Sequence, residues 1–141
     1  MARTTVEAVI AAPRDVVYTF FTQRDGINPY MPGVQFTLTK PGSPTPEGIG
    51  AQYTVGRGKI GFVEETRVLV PGEKVEYEII KGMPVKRHIG TILLADADGG
   101  TKVTYTMESV PSLPLPDKIV EAGLRTLINQ MLGATRKAFK A

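Results

Sequence analysis

The chain has 141 residues, a formal net charge of +3 and no cysteine, a length that fits one domain over residues 1–141. Without cysteine there are no disulfides, thiolate nucleophiles or cysteine-ligated metals, and a single histidine, His88, excludes a multi-histidine metal site within the chain. No apolar stretch approaches the roughly 20 residues of a membrane span, and Glu7 lies where a signal peptide would be apolar. We therefore expect a cytoplasmic protein without metal or cofactor and without membrane insertion.

The first part of the chain combines a strand with short helices. Pro13 is favourable at the start of a helix, Asp25-Gly26 ends that helix, and prolines limit Ile27–Met31 to one helical turn. Alternating apolar residues and turn residues predict seven strands in all. They span Thr5–Ile10, Val34–Lys40, Ile49–Gly56, Ile60–Val70, Lys74–Ile80, Val85–Ala95 and Lys102–Ser109. The links between the last strands are short, so these neighbours are antiparallel.

A long helix is predicted at the end of the chain, over Asp117–Phe139. Its apolar stripe consists of Val120, Leu124, Leu127, Ile128 and Met131. Gly123 and Gly133 lie within it, and each costs about 1 kcal/mol relative to alanine. Two interpretations stay open: the glycines permit close packing of the helix on the sheet, or they border space for a ligand.

Two short turns set the register of the central strands. A two-residue turn at Pro71-Gly72 predicts the pairs Val68–Val75, Thr66–Tyr77, Glu64–Ile79 and Arg67–Glu76. A turn at Asp98-Gly99 predicts the pairs Leu94–Val103 and Ile92–Tyr105 and, counting back by twos, an inward direction for Gly90 and His88.

A sheet with one covered face and one apolar helix bury each other, but a single helix fills a wide, curled sheet poorly. We therefore predict a small-molecule cavity between the sheet and the last helix. The candidate ligand-binding residues are Thr66, Tyr77, Ile79, Gly90, Ile92, Tyr105, Met107, Leu124, Ile128 and Met131.

Four segments of the sequence are similar to motifs of one superfamily. They are Ala12–Tyr18, Tyr30–Val34, Glu47–Gly50 and Leu94–Thr104. With the element order, they resemble the START and pollen-allergen-like helix-grip superfamily, and most of all its small bacterial polyketide cyclase/dehydrase-like proteins. The resemblance implies an α+β fold in which a curled seven-stranded antiparallel sheet surrounds the C-terminal helix, with two short helices after the first strand. It also implies an apolar ligand, lipid-like or polyketide-like, but not which one.

The candidate catalytic residues are His88, Glu64 and Tyr105, because no other inward group titrates usefully and no nucleophile motif is present. Each has an alternative interpretation. For His88 the alternative is a solvated histidine at the rim. For Glu64 it is a strand bulge that turns the side chain outward. For Tyr105, and likewise Tyr77, it is an ordinary core aromatic.

Two functions stay open: an acid–base enzyme of the cyclase or dehydrase type, and a non-catalytic carrier or sensor of an apolar ligand. A nucleic-acid partner is not expected, since the basic residues form no cluster and the Arg57-Gly58-Lys59 turn is interpreted as solvated. Whether the chain forms a homodimer is left open.

Overall fold

The computed structural model describes residues 2–57 and 60–140. Within these residues, seven strands, two α-helices and one 3₁₀ helix follow one another along the chain. They are β1 (Ala2–Ile10), α1 (Arg14–Thr22), the 3₁₀ helix (Arg24–Tyr30), β2 (Gln35–Lys40), β3 (Gln52–Arg57), β4 (Ile60–Val70), β5 (Lys74–Lys81), β6 (Val85–Ala97), β7 (Gly100–Pro111) and α2 (Asp117–Ala138). Gly58 and Lys59 of the predicted basic turn lie outside the described residues.

The strands of this part of the chain form one antiparallel sheet in the order β1-β7-β6-β5-β4-β3-β2. This arrangement confirms the predicted α+β class, with a seven-stranded sheet and a long C-terminal helix. The largest differences at strand ends are three residues each: β1 begins at Ala2 rather than Thr5, and β3 begins at Gln52 rather than Ile49. Gly50 has a φ of 89°, in the left-handed region that interrupts a strand.

The junction between the two short helices also differs from the prediction. α1 ends at Thr22, and Arg24 already belongs to the 3₁₀ helix. The hydroxyl of Tyr53 donates to the backbone carbonyl of Thr22 at 2.9 Å and accepts from the backbone N–H of Arg24 at 3.4 Å. One side chain from β3 therefore satisfies backbone groups at the end of α1 and at the start of the next helix.

The register predicted from Asp98-Gly99 is confirmed, with Leu94 opposite Val103 and Ile92 opposite Tyr105. The register predicted from Pro71-Gly72 is wrong beside the turn, where Leu69 rather than Val68 faces Val75. The turn has one residue more than predicted, and Arg67 forms a bulge that restores the register from Thr66 onward. As a result the Thr66–Tyr77 and Glu64–Ile79 pairs are confirmed.

The bulge also changes the partners of Arg67. It does not face Glu76 but lies 3.0 Å from Glu65 and 3.3 Å from Glu78. Both ion pairs lie on the outer face of the sheet, so they are screened by solvent.

Helix α2 lies off-centre on the concave face of the sheet. It packs mainly on β1, β7 and the 3₁₀ helix. Its buried residues are Leu124, Ile128, Leu132, Ala134 and Thr135. The inner faces of β3 to β6 are consequently only partly covered by α2.

Two expectations about α2 are corrected. Leu127 of the predicted stripe is 38% exposed. Gly123 is exposed and Gly133 half-buried, and an added Cβ at either position would meet no atom within 4 Å. The two glycines therefore neither permit close packing nor border the cavity described below.

Candidate ligand-binding cavity

A cavity of about 130 Å³ lies between the sheet, α2 and the 3₁₀ helix. Its lining residues come from all three layers and are mostly apolar. They are Phe21, Arg24, Met31, Val34, Phe36, Val55, Phe62, Glu64, Tyr77, Ile79, Met83, His88, Ile92, Tyr105, Met107, Leu127, Gln130 and Met131. Because α2 is displaced toward β1, the inner faces of β2 to β7 supply ten of the eighteen lining residues.

The structure brings eight of the sequence-derived candidates to this cavity. They are Glu64, Tyr77, Ile79, His88, Ile92, Tyr105, Met107 and Met131. The inward direction of Glu64 and His88 is confirmed: they are 4% and 1% exposed and line the same cavity. A bulge does lie beside Glu64, as the alternative interpretation required. Its extra residue is Ile80 of the neighbouring strand β5, however, so Glu64 still points inward.

Four candidates do not line the cavity. Leu124 and Ile128 belong to the face of α2 that is buried in the core, and Thr66 is a buried residue of β4. Gly90 lies under Tyr77, and an added Cβ there would overlap the phenol ring. A larger residue at Gly90 would therefore displace Tyr77 rather than simply fill the cavity.

The principal residue missed from the sequence is Arg24. It continues the buried face of α1, since it follows Val17 by seven positions and Phe21 by three. This spacing is a periodic signal for Arg24 in the sequence, but a charged side chain is expected to be exposed rather than part of a buried face. Arg24 is 2% exposed, and its Nε donates to a carboxylate oxygen of Glu64 at 3.1 Å.

Burial and charge act in opposite directions on Glu64. Its pKa is raised because burial disfavours the carboxylate, while the nearby Arg24 guanidinium opposes that shift. The central carbon of this guanidinium lies 4.9 Å from the ring centroid of Tyr53 and 5.3 Å from that of Tyr77. Such cation–π contacts hold the guanidinium in a fixed orientation.

Tyr77 and Tyr105 form the second polar element of the cavity. Their hydroxyl groups are hydrogen-bonded to each other, and burial raises the pKa of both phenols. Both therefore stay protonated at neutral pH. Since the mutual hydrogen bond uses one of the two hydroxyl hydrogens, the other remains available as a donor.

His88 is the third polar element. Burial lowers its pKa from 6.5 to about 4, so the imidazole is neutral near pH 7. Its Nδ1 is buried without a hydrogen-bond partner among the described residues. The alternative of a solvated rim histidine is thereby excluded.

The mouth of the cavity is formed by half-buried and exposed side chains. Met31 and Met83 come from two connecting segments, Met131 and Gln130 come from α2, and Phe62 comes from β4. Methionine side chains are unbranched and adopt many conformations. The entrance is therefore built from residues that adjust easily to a ligand.

Arg57 of the predicted solvated turn is exposed, and it also makes a structural contact. Its Nε donates to the carbonyl of Gly33 at 2.7 Å, and Gly33 itself has a φ of 85°. This bond fixes the segment between the 3₁₀ helix and β2, which borders the cavity.

Among the described residues, no helix is long and apolar enough to cross a membrane. The same part of the chain contains no group of three or more acidic, histidine or cysteine side chains that would hold a metal ion.

Comparison with solved structures shows the same fold in several proteins. A START superfamily protein from Mycobacterium smegmatis superposes with a TM-score of 0.83 at 9% identity, covering 99% of this chain and 98% of that one. The protein XoxI from Bacillus cereus gives 0.77 at 17% identity, covering 99% and 96%. Major latex-like protein 151 from Panax ginseng gives 0.72 at 14% identity, covering 96% and 93%.

No protein with a curated description matches the chain in sequence. A family model described as polyketide cyclase / dehydrase and lipid transport matches residues 1–141. With the fold of the START and pollen-allergen-like proteins, this match shows that the chain belongs to the polyketide cyclase/dehydrase and lipid transport family.

Proposed function

We propose that the protein binds a small apolar molecule in the cavity between the sheet and α2. The observation that carries this proposal is a buried space with mostly apolar walls and a few polar groups, which is typical of small-molecule sites. The description of the family, with its lipid transport and polyketide chemistry, supports a lipid-like or polyketide-like ligand.

The size of the cavity limits the ligand that enters without rearrangement. A volume of about 130 Å³ is close to that of engineered cavities of roughly 150 Å³ that hold benzene. It is well below the roughly 300–1,000 Å³ of sites for larger ligands. A longer molecule therefore needs the methionines at the mouth to move outward, and a single aromatic ring does not.

Acid–base chemistry on the bound molecule is the second candidate, because His88, Glu64 and Tyr105 line one cavity. Binding without catalysis is favoured by the pKa of about 4 for His88, since a general base works best with a pKa near the working pH. Exchange of the α-protons of 1-phenylbutane-1,3-dione in D₂O separates the two. Accelerated exchange that His88→Leu abolishes would establish the enzyme.

Displacement of an environment-sensitive dye tests the binding function. Val55→Phe places an aromatic ring in the cavity, whereas Thr54→Phe adds the same ring to the outer face of β3. We expect dye binding that fatty acids and aromatic polyketide-like compounds compete away, a loss of binding in Val55→Phe and wild-type binding in Thr54→Phe. Equal binding by both variants would refute a site in this cavity.

The cytoplasmic location, the single domain over residues 1–141 and the absence of a nucleic-acid partner stay predictions.

A further inference from the structure

The guanidinium of Arg24 has unused hydrogen-bond donors at the cavity. Its Nε is paired with Glu64, whereas Nη1 and Nη2 are buried and have no acceptor among the described residues. The Arg24 side chain is only 2% exposed, and it lines the cavity. Buried N–H groups without a partner are rare because they lose their hydrogen bonds to water. A ligand oxygen in the cavity would supply the missing acceptor.

The position of these donors is fixed before any ligand arrives. The guanidinium packs against the rings of Tyr53 and Tyr77, and the backbone N–H of Arg24 donates to the hydroxyl of Tyr53. Arginine donors held in this way form a rigid fork whose N–H groups donate to oxygen atoms in few directions. The site therefore selects a ligand by the position of its oxygen as well as by its shape.

Charge decides which oxygen fits. Glu64 already lies beside the guanidinium, so Nη1 and Nη2 lack an acceptor but not a further negative charge. A carboxylate there would place a second acidic group next to Glu64 in a buried environment, which is unfavourable. An uncharged carbonyl oxygen accepts the same hydrogen bonds without that repulsion.

We propose that Arg24 selects apolar ligands that carry an uncharged carbonyl group, whose oxygen accepts hydrogen bonds from Nη1 and Nη2. This specificity rests on the proposed function, since it requires a ligand in the cavity. The remaining hydroxyl hydrogen of the Tyr77–Tyr105 pair supplies a further donor in the same cavity.

Three compounds of equal heavy-atom count test this specificity: cumene, acetophenone and benzoate. They share a phenyl ring and differ only in the atoms on the branching carbon, and their binding to the unmodified protein is followed by NMR titration. We expect acetophenone to bind roughly tenfold or more tightly than cumene, because a hydrogen bond to a charged group has that effect. Benzoate is expected to bind more weakly than acetophenone.

The other outcomes are distinguishable. Equal affinity for cumene and acetophenone overturns the role of Arg24 and leaves the proposed function intact. Tighter binding of benzoate overturns the carbonyl in favour of a carboxylate. A failure of all three compounds to bind, cumene included, overturns the proposed function together with the specificity.

The double variant Arg24→Met/Glu64→Leu removes the donors and their counter-charge together. We expect the preference for acetophenone over cumene to fall to about one in this variant, and to stay unchanged in the control Arg67→Met, whose ion pairs lie on the outer face. A preference that survives in the double variant overturns the proposal. If the double variant does not fold, the side-chain NMR signals of Arg24 decide, since acetophenone should shift its Nη signals and cumene should not.

Discussion

Arg24 and Glu64 form a buried ion pair that connects the short helices to the centre of the sheet. Glu64 was found from the sequence because a turn fixes the strand register and strand side chains alternate strictly. Arg24 was not, because a charged side chain is expected to be exposed even where its spacing from Val17 and Phe21 continues an apolar helical face. The guanidinium at the cavity therefore belongs to a residue three positions beyond Phe21, the last buried apolar residue of α1.

Replacing one member of this ion pair should destabilise the fold much more than replacing both. Arg24→Met or Glu64→Leu leaves an unpaired ionisable group in the interior, and we expect each to lower the free energy of unfolding by about 3–5 kcal/mol. The double variant should be much closer to the wild type, because apolar residues replace both charges. Urea denaturation of the four proteins measures this coupling, and a double variant that loses the sum of the single effects would contradict it.

His88 should make the protein less stable in acid. The unfolded chain binds a proton at His88 near pH 6.5, whereas the folded protein binds it only near pH 4. Lowering the pH from 6.5 to 4 therefore favours the unfolded state, and at pH 4 this contribution reaches about 3 kcal/mol.

The variant His88→Leu isolates this contribution from that of the carboxylates. We expect its free energy of unfolding to fall less steeply between pH 6.5 and 4 than that of the wild type, as measured by urea denaturation at each pH. Parallel pH profiles for the two proteins would show that His88 is not buried as a neutral group.

At the level of secondary-structure elements, the turns in the sequence predicted the strand register better than the apolar patterns predicted where strands begin and end. The Asp98-Gly99 turn predicted the register of its hairpin as far as Arg87, because two residues in a turn leave one register, and a bulge shifts the pairing only at Val85. At Pro71-Gly72 the turn and a bulge at Arg67 each differ by one residue, and the two differences cancel. Bulges leave no clear periodic signal, so the inward direction of Glu64 survived while the pairs nearest the turn did not.

Replacement by alanine should stabilise the fold at Gly123, in helix α2, and destabilise it at Gly90, in strand β6. At Gly123 an added Cβ meets no atom within 4 Å, so Gly123→Ala should raise the free energy of unfolding by about 1 kcal/mol through helix propensity. At Gly90 the Cβ would overlap Tyr77, and Gly90→Ala should lower it by about 1–3 kcal/mol. Thermal and urea unfolding measure both, and a destabilised Gly123→Ala would mean that this face of α2 is in contact.

For the whole molecule, the mismatch between one helix and a wide sheet creates the cavity. The sequence predicted that mismatch, since it specifies seven strands and one long amphipathic helix. It did not predict that α2 would pack toward β1, so Leu124 and Ile128 were assigned to the cavity although they belong to the core. The location of the helix depends on contacts between distant segments, which no local pattern records.

Methyl NMR with cumene as the ligand tests the location of the site most directly. The account predicts shifts for methyl groups that line the cavity, those of Ile79, Ile92 and Met107, and none for Ile10 and Leu132, which are buried elsewhere in the core. Shifts confined to exposed residues such as Leu113 and Ile119 would place the ligand on the surface and contradict a binding cavity between the sheet and α2.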